Sequence, residues 1–265
     1  MKNTLILFIS ISLISGIPAI GQVIGPIVRD FNGDTINRVN NDDEKTGRWQ
    51  EMNGSYKTYG NYMNGQRDGT WVTYFSDNKI NMVEEYKNGS RTGLVLIFDQ
   101  RGNLKNERHM KNGKLHGVSR YYEVPGKLKS EVCYKEGTKH GLSKIYYKTG
   151  TLQESAFYVD GEKHGVAQWY NTSGTLIAEY NYHYGQFSGE NREYYSDGSL
   201  QRLKQYTQGI EDGKHIEYYE NNKEKVKGSY TAGQRDGIWN YYDETGKLVL
   251  EEKYKEGKLK NSKAF

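Results

Sequence analysis

Apolar and polar positions alternate along most of this chain, and the alternation restarts every 24 residues. In the stretch from Tyr158, the opening aromatic is followed by Gly161, Gly165, a second aromatic at Tyr170, Gly174 and an aliphatic at Leu176. The unit before it places Tyr134, Gly137, Gly141, Tyr146, Gly150 and Leu152 at the same offsets. Stepping by 24 from Tyr62 to Tyr254 meets tyrosine at every opening position except Met110, with no insertion or deletion in eight units. A fixed period of this length marks a repeat architecture and governs every local assignment.

Within each unit, two short alternating segments are separated by glycine-bearing turns, the pattern of a β-hairpin. Asn78 and Asn222 stand where other units carry the turn glycine, and glycine and asparagine are the residues that tolerate positive φ. The opening tyrosine, the residue after the second glycine (Leu142, Val166, Ile238), the second aromatic and the leucine all fall on even offsets. Strand alternation carried through the unit puts all of them on one face. A helical period scatters them, and paired glycines weaken a helix by ~1 kcal/mol each. The expected fold is all-β: tandem 24-residue β-hairpin repeats stacked into one elongated, twisted, mainly antiparallel single-layer sheet. Each unit touches mainly its neighbours.

Composition supports a thin structure. Only 35% of residues are apolar, too few for a thick two-layer core, while 24 tyrosines each offer an apolar ring and a polar tip. The net charge of +4 comes from 37 basic and 33 acidic residues mixed along the chain, without the clustered Lys and Arg of a phosphate-binding surface. No nucleic-acid partner is expected. Cys133 is the single cysteine, so no intramolecular disulfide can form, and it is read as a passive strand residue.

Residues 1–21 have the form of a secretory signal peptide: Lys2, an apolar run from Leu5 to Ile14, and the small residues Ala19 and Gly21 before Gln22. That run is shorter than the ~20 apolar residues of a bilayer span, so no transmembrane segment is expected after signal removal. The expected destination is the periplasm, the outer surface or the medium. Residues 22–61 form an N-terminal segment and a degenerate capping repeat, with a turn at Phe31–Asp34 and a short strand at Ile36–Val39. Gly47-Arg48-Trp49 there copies Gly69-Thr70-Trp71 and Gly237-Ile238-Trp239, but the step to the next tyrosine is 15 residues rather than 17. Residues 62–257 hold eight repeats and the start of a ninth, and 258–265 form a lysine-rich tail that is expected to guard the last edge strand.

The unit Y-x-x-G-x-x-x-G-x-x-x-x-Y-x-x-x-G-x-L resembles the MORN repeat, and more closely its bacterial variant form. Tyr134 to Gly141 and Tyr158 to Gly165, each followed by the second aromatic, glycine and leucine, carry the resemblance most strongly. It covers about residues 43–258. It implies stacked β-hairpins and no catalytic residues. Many bacterial chains built from this variant carry an antitoxin label, and others are scaffolds.

Candidate chemistry is sparse. His116, His140 and His164 recur 24 apart at one turn position. Equivalent positions in successive hairpins lie roughly 9–10 Å apart, too far to share a zinc ion whose ligand atoms sit ~2 Å away. Other units carry Asp, Ser or Thr there, which is turn chemistry. Glu107, Glu131, Glu179 and Glu251 also recur in phase, on the face opposite the Tyr/Leu set, and are read as salt-bridge partners rather than a catalytic pair. No phosphate loop and no nucleophile elbow is present. No catalytic, cofactor-binding or metal residue is assigned, and the chain is read as non-enzymatic. The candidate binding surface consists of aromatics the unit does not demand: Trp71, Tyr121, Tyr147, Trp169, Tyr195, Tyr219, Trp239 and Tyr241. The expected partner is another protein, contacted as a scaffold. The alternatives are an antitoxin-like neutraliser of a toxin and a glycan-binding envelope protein.

Overall fold

The computed structural model describes residues 28–29, 33–123 and 126–265. The expected signal segment, and Phe31 and Asn32 of the expected first turn, lie outside the described residues. From the strand Lys45–Asn53 to the strand Lys258–Ala264, consecutive segments pair antiparallel in one all-β sheet without helix. Among the described residues no pairing joins the last strand back to the first, so the sheet is open.

Two turns alternate. The first has two central residues with positive φ, such as Asp160 at 49° and Gly161 at 91°. This is the backbone that matches strand twist in a two-residue hairpin. Each such turn is tied to the one before it: the Gly161 N–H donates to the Lys139 carbonyl at 2.9 Å, and Gly185 to Lys163 at 2.8 Å. The second turn is wider. The Asn171 N–H donates to the Thr175 carbonyl at 2.9 Å, around Gly174 at φ 87°. Asn78 at 62° and Asn222 at 64° adopt the same left-handed backbone, as their substitution for glycine implies.

The expectation that both tyrosines and the leucine share a face is overturned. Parity holds within a strand but does not survive a two-residue turn, where paired residues are an odd number apart: Tyr134 pairs with Lys139. A second break follows the leucine. Ile145 pairs with Glu154 but Tyr146 with Leu152, so the later strand carries one extra residue, a β-bulge. The opening tyrosine therefore lies on one face, called the first face here. The second aromatic, the leucine and the residue after the second glycine lie on the other. The position buried beside the opening tyrosines is two residues past the second glycine, not one. Ala167 is 1% exposed, whereas Val166 is 47% exposed.

The two ends differ. In the capping repeat Asn53 pairs directly with Tyr56 and the ladder has no slip, which accounts for the 15-residue step. The preceding segment lies along this strand. The Asn37 N–H donates to the Arg48 carbonyl at 2.9 Å and Trp49 Nε1 to the Arg38 carbonyl at 3.1 Å, while Ile36 is buried. The expected strand Ile36–Val39 is divided into Thr35–Ile36 and Arg38–Val39 by Asn37 at φ 59°. At the far end, the tail expected to lie beside the last edge strand is itself that strand, Lys258–Ala264, paired with Leu248–Lys255. Its lysines suit an uncovered edge. Cys133 is a half-buried free thiol within the strand Lys127–Lys135.

Candidate binding surface

The first face is built in three rows that cross the strands. The outer row holds the opening tyrosines and, opposite them, the residues five positions on. The middle row is the buried one: Trp71, Val95, Ser119, Ser143, Ala167, Asn191, His215 and Trp239 are all at most 7% exposed. A single layer buries this row because long side chains lean over it from both sides.

Its two tryptophans form matching arrangements near opposite ends of the sheet. The Trp71 ring lies on Gly60, where an added Cβ would sit 2.1 Å from it, and the Trp239 ring lies on Gly228 at 2.2 Å. The Arg67 guanidinium covers Trp71 at 4.0 Å, and Arg235 covers Trp239 at 4.1 Å. Tyr62 and Tyr86 flank the first ring, Tyr230 and Tyr254 the second, in edge-on contacts of 5.2–6.4 Å. Each indole N–H donates to a backbone carbonyl at 3.2 Å. Trp71 and Trp239 are therefore withdrawn from the expected binding set: both are 0% exposed and serve as core.

Tyr147, Tyr195 and Tyr219 are also architectural. Each starts a wide turn and donates its hydroxyl to a backbone carbonyl of the next unit, at Tyr170, Tyr218 and Tyr242, with O···O distances of 2.7–2.8 Å. Where the equivalent residue is Asp99, Asn171 or Asp243, its carboxylate or amide oxygen instead accepts backbone N–H groups of its own turn. Tyr195→Phe keeps the ring and removes one such brace. It is expected to cost about 1 kcal/mol in urea unfolding, and an unchanged midpoint would contradict the assignment.

The remaining three candidates, Tyr121, Trp169 and Tyr241, fall together in the third row of the first face. The row is unbroken: Ile97, Asn106, Tyr121, Ser130, Ile145, Glu154, Trp169 and Ala178 are successive cross-strand partners. It continues through Glu193, Arg202 and Glu217 to Val226, Tyr241 and Leu250. At strand spacing of ~4.8 Å, Ile97 to Trp169 spans roughly 29 Å. Trp169 packs on Tyr180 at 5.1 Å under the Lys163 ammonium at 4.5 Å. Burial and the Glu193 carboxylate beside it push the Tyr180 hydroxyl up to about 12, so it remains a donor. Ile97 and Ile145 are aliphatic, so a search for extra aromatics does not single them out. The row itself could have been found by counting parity separately in each strand.

Where the row reaches the capping repeat, it borders a groove of about 770 Å³ whose lining includes Glu51, Tyr56, Thr58, Arg67, Met82 and Arg91. Burial alone would raise the Glu51 carboxyl, but hydrogen bonds from Lys45, Tyr62 and Arg67 outweigh it and hold the group down at about 2. The Arg67 guanidinium also reaches the Tyr86 hydroxyl at 3.2 Å, and Arg91 pairs with the buried Glu84. The charged residues of the groove are paired with each other, Arg67 with Glu51 and Arg91 with Glu84.

Charges on the second face are matched too. Arg120 bridges Glu107 at 2.9 Å and Glu131 at 2.7 Å, and Arg192 meets Glu179 at 3.2 Å. These glutamates are the expected salt-bridge partners, although Tyr122, which donates to Glu107 at 3.3 Å, shows that they share a face with the second aromatics. His116 and His140 sit at the turn with Nδ1 3.2 Å from a Glu136 and 3.6 Å from an Asp160 carboxylate oxygen, the first central residues of the next turns.

An open, single-layer sheet of stacked hairpins with a continuous row of half-buried side chains belongs to the class of repeat binding modules rather than to a known class of enzyme. The sequence model of the MORN repeat variant matches residues 67–88, 139–160, 163–184 and 235–260. Every match starts at the same phase, on the cation five residues past an opening tyrosine: Arg67, Lys139, Lys163 and Arg235. These four segments are MORN repeats of the variant form. No curated protein matches the chain.

Proposed function

We propose that this chain is an exported, non-enzymatic scaffold that holds another protein along the third row of the first face, centred on Tyr121, Ile145 and Trp169. The observation that carries the reading is the row itself. The repeat fixes tyrosine and glycine elsewhere, but here residue type varies freely, and Ile97, Tyr121, Ile145 and Trp169 gather at every second strand. Aromatic side chains at the centre of a patch, flanked by paired charges, are what protein interfaces use as anchors. Export rests on the form of residues 1–21.

The test is capture from envelope and medium fractions with three versions of the chain. The native chain and Lys144→Glu, altered on the second face, are expected to retain the same protein, and Ile145→Glu to lose it. Capture of nothing, or equal capture by all three, contradicts the reading. Binding to a glycan array that Trp169→Ala abolishes would replace the protein partner with a sugar. A captured protein that is toxic when produced alone would make the scaffold a neutraliser.

A further inference from the structure

The unit beginning at Tyr158 breaks the turn rule that its neighbours obey. The buried Nδ1 of all three turn histidines lacks a hydrogen bond, but those of His116 and His140 lie 3.2 and 3.6 Å from an acidic residue of the next turn, whereas His164 faces Tyr184. The register Gly165↔Tyr182 places His164 directly across the ladder from His183. The corresponding residues opposite His116 and His140 are Lys135 and Val159, so this cross-strand histidine pair occurs at one turn among the described residues. The two imidazole centres are 5.2 Å apart. Two imidazole nitrogens each ~2.0–2.1 Å from one ion, at a tetrahedral angle, bring ring centres to roughly 5 Å.

A second observation marks the same turn. Tyr184 holds φ 45°, where other units place Asn, Asp, Glu, Gln or Ala. A bulky residue in the left-handed region is strained, and such strain collects at functional sites. Tyr184 is 49% exposed, and its ring centre lies 4.8 Å from that of His164 and 4.9 Å from that of His183.

We propose that His164 and His183 bind a borderline transition-metal dication, of which zinc(II) is the probe. Among the described residues no group of three or more His, Cys, Asp and Glu is arranged to hold a metal. The site is therefore a two-imidazole site whose other positions are filled by water, and it selects against hard, oxygen-seeking ions. The bound ion would clip the turn of one unit to the next, on the second face and away from the row proposed to hold a partner.

The test is calorimetric titration of the full chain, without an affinity tag, with zinc chloride and separately with calcium chloride. One zinc per chain is expected, and no calcium. His164→Ala and His183→Ala are each expected to weaken zinc binding roughly tenfold or more, while His140→Ala leaves it unchanged. His183→Gln, with its strand content checked by circular dichroism, repeats the loss without removing the side chain. Zinc binding that is absent, that survives in the His164 and His183 variants, or that calcium equals overturns the proposal.

Discussion

Trp239→Ala is expected to lower the stability of the C-terminal units by about 3–5 kcal/mol, the cost of emptying a fully enclosed tryptophan site. The ring is 0% exposed, lies on Gly228 and is covered by Arg235. Its removal leaves a void on a backbone with no side chain to collapse into it. Because the sheet is one layer, the loss should stay local. Hydrogen exchange is expected to show lost protection across about residues 206–264 with the units before Tyr182 still protected, since repeat stability is a sum over neighbours. Gly228→Val tests the other partner. Its Cβ would meet the ring at 2.2 Å, and the overpacking costs about 1–3 kcal/mol. A Trp239→Ala penalty below about 1 kcal/mol would mean that the ring is not core.

Glu51 gives the second large effect, and it is read through pH. Its folded carboxyl is held at about 2, below the ordinary 4.5. A depressed carboxylate adds stability that is fully present above the ordinary value and is lost as pH falls through the folded one. Discounted for solvent screening of the partly exposed carboxylate, the contribution is on the order of 2–3 kcal/mol at neutral pH. Glu51→Gln is expected to destabilise the capping repeat by that amount at pH 7, and the gap to the native chain should close between about pH 5 and pH 2. Tryptophan fluorescence during urea unfolding reads it, through Trp49 and Trp71. A gap that stays constant across that range would show that Glu51 acts by shape rather than by charge.

Much of the architecture was legible in the sequence because the turns dictate it. Glycine or asparagine at positive φ fixes where each strand ends, and a strict 24-residue step fixes that the hairpins stack. The failure lay in parity. Alternation is a property of one strand, and the two-residue turn and the bulge after Leu152 each reverse it. The chain does contain the missing signal. Gly60 precedes Trp71 and Gly228 precedes Trp239 by the same 11 residues, and a glycine recurring only with a large ring marks two positions in contact. Tyr147, Tyr195 and Tyr219 misled for another reason. They alternate with Asp and Asn at one turn position, and a phenol that reaches forward is a different solution to the problem those residues solve locally. The row through Ile145 could not be read before the register was known.

The face assignment underlies the core, the binding row and the two largest effects, and labelling of paired cysteines tests it most directly. In a Cys133→Ser background, Val166→Cys and Ala167→Cys are adjacent in sequence but 47% and 1% exposed. Maleimide should modify the cysteine at 166 rapidly in the folded chain and leave the one at 167 protected until the chain unfolds. Equal rates, or faster modification at 167, would place the opening tyrosines on the wrong side of the sheet.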